Sequence, residues 1–308
     1  MRKFVLMITG ALMLATFAQA QPTDAQSKAE QIMKQARAAI GGEAKLKGLE
    51  SLSVTALARR TVGESRMESD LEYSILLPDK FRRSESSQPF TTVTVQEDDK
   101  TSTYRLPNST SGNGDAPSRE NLNDPQAQVR RKADFVRVML GWLLTTPAFD
   151  SFTWSYAGEY KEPDGTADMI DVKSQEGFSA RLYVEQKTHR LLMLSYQGKQ
   201  LSQVMRMMGR PGQAQDDRKL TPEQQEKLRQ ARQAASEKRR KQFEEALAKA
   251  PEVEYRWVFS DYKNVKGITL PHRLSKTEAG HEYEEWEISN FKINPKFKAD
   301  TFDTKERH

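Results

Sequence analysis

Residues 70–75 read Asp70-Leu71-Glu72-Tyr73-Ser74-Ile75, a strict exchange of polar and apolar side chains. Successive side chains of a strand leave opposite faces, so this period of two sends Leu71, Tyr73 and Ile75 to a dry face and Asp70, Glu72 and Ser74 into water. The same pattern extends outward. Upstream, Leu52, Val54, Ala56 and Ala58 alternate in the same way, and downstream come runs at 80–87, 91–96 and 102–106, each bounded by Pro, Asp or Asn turn chemistry. Together they describe an antiparallel meander with one wet and one dry face.

Strand patterns resume at 152–156, 169–173, 180–184 and 191–197, the last two reading as a hairpin around 186–189. Three more runs, 253–259, 268–276 and 283–291, close the chain. Between the first two, Asn264-Val265-Lys266-Gly267 makes the turn, with Gly267 free to take positive φ. Two helices interrupt the strands. Residues 27–40 place Ala29, Ile32, Met33, Ala36 and Ile40 on one stripe, with Gly41-Gly42 where a left-handed C-cap belongs. Residues 129–144 gather Phe135, Val138, Met139, Trp142 and Leu143 near one stripe, an unusually greasy helix with Arg130, Arg131 and Lys132 at its start.

The first twenty residues carry a separate signal. Arg2 and Lys3 precede an apolar stretch at 4–17, and Ala18-Gln19-Ala20 supplies the small-x-small pattern a signal peptidase reads. That stretch is too short to span a bilayer of about 30 Å. The sequence therefore predicts a signal peptide over 1–20 and a periplasmic protein over 21–308, folded as one domain and touching membranes only transiently. With no cysteine among 308 residues, neither a disulfide nor a lipid anchor on cysteine is available. The formal charge of +5 falls by two without Arg2 and Lys3, too little to suggest nucleic-acid binding, which needs a clustered basic face.

Two segments break the strand rhythm. The stretch 107–126 is Asn, Ser, Gly, Asp and Pro with almost nothing apolar, and reads as a long polar loop. Residues 211–250 read as a charged helical insertion, with Thr221 as N-cap, Pro222 at the first helical position, and a thin apolar stripe of Leu228, Ala231, Ala235 and Phe243. Pairs such as Glu223 with Lys227 support it in water, and its exposed length could also serve an envelope protein partner.

Catalytic chemistry is hard to place. The four histidines, His189, His272, His281 and His308, hold no metal-ligand spacing, and neither a nucleophile elbow nor a phosphate-cradling loop occurs. Glu282, Glu284, Glu285 and Glu287 could suggest a carboxylate pair, but alternation divides them between two faces, and a water-facing strand explains much of the cluster. Met205, Met207 and Met208 could hold copper; packing explains them better. No catalytic residue, metal or cofactor is expected. The dry face of the meander must still be covered: either the helices plug it, or a ligand shares it.

Several stretches together resemble a family. The first helix ending in Gly41-Gly42, Leu77-Pro78-Asp79-Lys80-Phe81-Arg82 before a strand, Leu182-Tyr183-Val184-Glu185 leading into Leu191-Leu192, and Phe259-Ser260-Asp261-Tyr262-Lys263 through Gly267-Ile268-Thr269-Leu270-Pro271 are similar to the outer-membrane lipoprotein-sorting proteins of the LolA/LolB-like superfamily. The resemblance implies an α+β fold: a curved antiparallel half-barrel of about eleven strands, helices covering its concave face, and an apolar cavity for acyl chains. On that basis Leu71, Tyr73, Ile75, Trp257 and Phe259, with Phe135, Met139, Trp142 and Leu143 of the greasy helix, are expected to line or lid the cavity. The expected function is a non-catalytic periplasmic carrier of lipoprotein acyl chains or other lipids. The alternative is a regulatory or scaffolding protein that uses the same fold to bind a protein. A carrier needs a hollow that is greasy inside, and one solidly filled by side chains argues against it.

Overall fold

The computed structural model describes residues 23–62, 65–97, 100–108, 120–121, 125–162, 165–208 and 221–303. The signal peptide expected over 1–20, most of the polar loop and residues 209–220 lie outside the described residues.

The chain opens with helix α1 (Asp24–Ile40), capped by Thr23 in a reciprocal capping box with Gln26. Its buried residues are Ala29, Ile32, Met33, Ala36 and Ile40, the stripe that a spacing of three and four places on one side. Helix α2 (Glu43–Lys47) follows at once. Then come β1 (Ser51–Val62), β2 (Ser65–Leu76), β3 (Lys80–Ser87), β4 (Phe90–Glu97), β5 (Lys100–Pro107) and the short β6 (Glu120–Asn121). Helix α3 (Pro125–Leu143) leads into β7 (Phe152–Glu162), β8 (Gly165–Ser174), β9 (Ser179–Glu185) and β10 (Leu191–Lys199). Helices α4 (Leu201–Met208) and α5 (Pro222–Lys249) precede β11 (Glu252–Val265), β12 (Ile268–Glu278) and β13 (His281–Ile293).

The described strands form one antiparallel 13-stranded sheet in the order β6-β5-β4-β3-β2-β1-β13-β12-β11-β10-β9-β8-β7. That is two strands more than the eleven expected, and the two-residue β6 is one of them. The sheet consists of two meanders joined where the last strand pairs with the first, with Leu52 opposite Ile293 and Ala58 opposite Trp286. Both edges, β6 and β7, remain unpaired in the strand order, so the sheet is an open half-barrel and not a closed one. The β11–β12 hairpin turns through Lys266 and Gly267, both at positive φ, as a two-residue hairpin loop requires. α1 lies along β7, with the Lys28 ammonium 3.6 Å from the centre of the Tyr156 ring.

α3 differs most from its expected form. A single apolar stripe predicts a helix resting on the sheet; instead every residue from 135 to 144 is buried, Arg137 and Gly141 included. A helix buried all round must be enclosed, and α3 touches β5 on one side and β10 and β12 on the other. The curved sheet wraps it. Among the described residues no helix is long and apolar enough to cross a membrane.

The insertion keeps its predicted start: Thr221 caps α5 in a capping box with Gln224, Pro222 is at its first turn, and Lys227 pairs with Glu223 at 2.8 Å. The far end of α5 is anchored where Leu247, Ala250 and Phe243 pack on Val204 of α4. The methionines of α4 depart from the packing expected for them. Met205 and Met207 are exposed, and only Met208 packs against this small cluster.

Candidate functional site: the concave trough

The inward row of each strand builds one trough. β2 contributes Leu71, Tyr73 and Ile75, β3 Phe81, β11 Trp257 and Phe259, and β13 Trp286, Ile288 and Phe291, all buried in one cluster with α3. α3 fills the space between them. Phe135 stacks on Phe81 with ring centres 4.2 Å apart, and Trp142 meets Tyr73 edge-on at 5.3 Å and Phe291 edge-on at 5.7 Å. Each large side chain buried here contributes roughly 1.5–3 kcal/mol through removal from water.

All nine residues expected to line or lid a cavity therefore fall in this one cluster: Leu71, Tyr73, Ile75, Phe135, Met139, Trp142, Leu143, Trp257 and Phe259. They pack in it with α3 among them, so the apolar cavity expected at this place is filled by the side chains of the helix. Two of them, Met139 and Leu143, also border an open pocket of about 320 Å³ between α2, the β2–β3 turn and the end of α3. Leu46, Leu49, Leu77 and Pro78 complete its apolar wall, and Arg37, Lys47 and Thr145 are among its polar lining residues. Its volume lies at the low end of the range of small-molecule sites. Arg37 also donates from Nε to the Leu144 carbonyl at 3.0 Å, tying the end of α3 to α1.

The other end of the trough is charged. Arg60 pairs with Glu85 and with Glu284, each at 3.2 Å, and Arg83 pairs with Glu85 at 2.6 Å. Trp286 donates its indole N–H to Glu284, and Lys276 stands over the Trp286 and Trp257 rings at 3.8 and 4.3 Å. Burial alone would push the Glu284 carboxyl up, but Lys276, Arg60 and Arg83 hold it down to about 2. Burial pulls the Lys276 ammonium down to about 8, with Glu284 opposing the shift. Burial also raises the Tyr73 phenol, so it stays protonated.

Alternation along β13 reads Glu284 as part of a water-facing set; it is instead among the most buried charges of the molecule. Glu284 keeps step with Trp286 and Ile288 on the inward row, a register shift between Lys276 and Thr277 separates it from the exposed Glu282, and the partners that hold it sit on three other strands. Sequence reading also missed Trp286, Phe81 and Gly141. For Gly141 a signal existed, since a glycine inside a greasy helix commonly marks a close approach. Among the described residues no three His, Asp or Glu side chains converge as a metal site.

No family model matches the sequence, and no curated protein matches it. Solved structures do. A domain from Vibrio parahaemolyticus described as outer membrane lipoprotein-sorting superposes over 90% of this chain and 97% of its own, with a TM-score of 0.50 at 8% identity. The two chains share the open half-barrel fold. A DUF1329 family protein from Desulfovibrio piger (TM-score 0.49, 8% identity, 89% of this chain and 97% of its own) and a LolA superfamily protein from Nitrosomonas europaea (0.46, 9%, 89% and 97%) are similar over the same extent. At such identities the likeness of the half-barrel concerns the fold alone.

Proposed function

We propose that this protein is a non-catalytic carrier of acyl chains in the periplasm, taking lipoprotein or lipid cargo into the concave trough when α3 withdraws from it. One observation supports this reading: what fills the trough is a single helix, α3, and not side chains of the sheet alone. Between 135 and 143, α3 is held by apolar packing and by Arg137 stacked 3.4 Å from the Tyr196 ring centre, with no side-chain hydrogen bond to the sheet among the described contacts. Such contact is non-directional and can be replaced by hydrocarbon, each buried CH₂ being worth about 0.8 kcal/mol. The nine lining residues act here as the floor (Leu71, Tyr73, Ile75, Trp257, Phe259) and the lid (Phe135, Met139, Trp142, Leu143).

Mass spectrometry of an organic extract of protein purified from its own periplasm tests the reading. Co-purifying acyl lipid is expected. Its absence, together with unchanged lipid binding in a folded Trp142→Glu variant, counts against both cargo and lid. A second reading, a scaffold that binds an envelope protein, is favoured by α5, a charged 28-residue helix whose apolar packing lies near its end. It predicts a partner lost on deletion of the helix while lipid extracts stay empty.

A further inference from the structure

The charged end of the trough holds one positive charge more than its own partners neutralise. Among the described residues, Arg60 on β1, Arg83 on β3 and Lys276 on β12 meet two carboxylates, Glu85 on β3 and Glu284 on β13. Both carboxylates are already engaged. Glu85 holds Arg60 and Arg83 and accepts from the Ser69 hydroxyl at 3.1 Å, while Glu284 holds Arg60 and accepts from Trp286. Lys276 is left 3.6 Å from Glu284, beyond hydrogen-bond distance, with its ammonium over two indole rings.

Neighbouring charges do not change the count. Asp134 and Arg137, both on α3, neutralise one another at 2.7 Å and leave together if the helix leaves. Glu278, further along β12, is turned to α4 and accepts from the Tyr255 hydroxyl and from the Ser202 N–H. Lys276 is 6% exposed and carries three donors without a hydrogen bond, an arrangement that an incoming oxyanion satisfies. Arg60 and Arg83 form the outer, wetter side of the cluster, with 38% and 23% of their side-chain surface in solvent.

The apolar floor begins in the same cross-strand row. Trp257 lies directly opposite Lys276 on β11, and Trp286 opposite Leu274 one step along. A ligand that uses both surfaces has a hydrocarbon tail and an anionic head. We infer that the cargo of this trough is an anionic amphiphile, its tail on the floor vacated by α3 and its carboxylate or phosphate held by Lys276 with Arg60 and Arg83. This rests on the carrier reading above.

Binding of palmitate, palmitoyl lysophosphatidate and uncharged methyl palmitate to the full-length mature chain, measured by tryptophan fluorescence and native mass spectrometry, separates the two claims. Both charged ligands are expected to bind about tenfold or more tighter than the ester, the scale on which truncating a buried charge partner acts. Lys276→Met should bring the charged ligands to the level of the ester and leave the ester unchanged. Arg60→Gln, at the wetter edge, provides the same comparison if Lys276→Met does not fold. Preference for lysophosphatidate over palmitate identifies the oxyanion as phosphate, and the reverse identifies it as carboxylate. Equal binding of charged and uncharged ligands by the wild type overturns the head-group inference while the carrier stands. Binding of none of them overturns both.

Discussion

Gly141 of α3 lies so close to the ring of Phe259 that a Cβ there would stand 2.4 Å from Cζ and 2.5 Å from Cε1. Phe259 is packed in the core and has no free space to turn into, so this contact sets how deeply α3 sits in the trough.

Gly141→Ala should therefore lift the helix. The expected cost is about 1–3 kcal/mol, typical of overpacking, despite the better helix propensity of alanine. Urea unfolding measures the loss, and binding of a hydrophobic dye should rise at the same time. An unchanged midpoint and unchanged dye binding would mean that α3 does not depend on this contact.

Glu284 binds two cations and an indole, so its loss strands buried charge. Glu284→Gln is expected to cost about 3–5 kcal/mol, the range for breaking a buried ion pair from one side. Adding Lys276→Met should recover part of that loss, and a double-mutant cycle on the pair should give a coupling above about 0.5 kcal/mol.

The same cluster predicts the pH dependence. The Glu284 carboxyl is at about 2 when folded against 4.5 in the free residue, so the folded chain binds fewer protons between those values. Its contribution is complete above 4.5 and is lost as pH falls toward 2. Lys276 has the same sign in a second window: held down to about 8 against 10.5, it makes the unfolded chain the better proton binder between 8 and 10.5, and stability again gains as pH rises. The difference in urea midpoint between wild type and Lys276→Met, followed over both windows, isolates the lysine from the buried tyrosines, whose raised values act at higher pH.

Removing residues 222–240 should leave the fold intact. The anchoring contacts of α5 lie beyond that segment, at Phe243, Leu247 and Ala250, and its ion pairs are exposed, so the expected change is within about 0.5 kcal/mol. A large loss in thermal stability would show that the helix docks along more of its length.

What was legible in the sequence was local. Alternation at 70–75 places Leu71, Tyr73 and Ile75 on the dry face, the stripe of α1 is the set that is buried, and the Lys266-Gly267 turn and the Thr221 cap stand where their chemistry demands. What escaped was non-local. Within β13 Glu284 shares the face of Trp286 and Ile288, but that a carboxylate is tolerated there depends on Arg60 and Lys276, which come from other strands and leave no mark in the β13 sequence. In the same way the composition of α3 speaks of grease, but enclosure on every side is a property of the curved sheet around it.

Amide hydrogen exchange of α3 with and without bound palmitate tests the central claim most directly. The account predicts that loading speeds exchange across 135–143 while β1, β2 and β13 keep their protection. Palmitate bound with α3 as protected as before, or no palmitate bound at all, would contradict it.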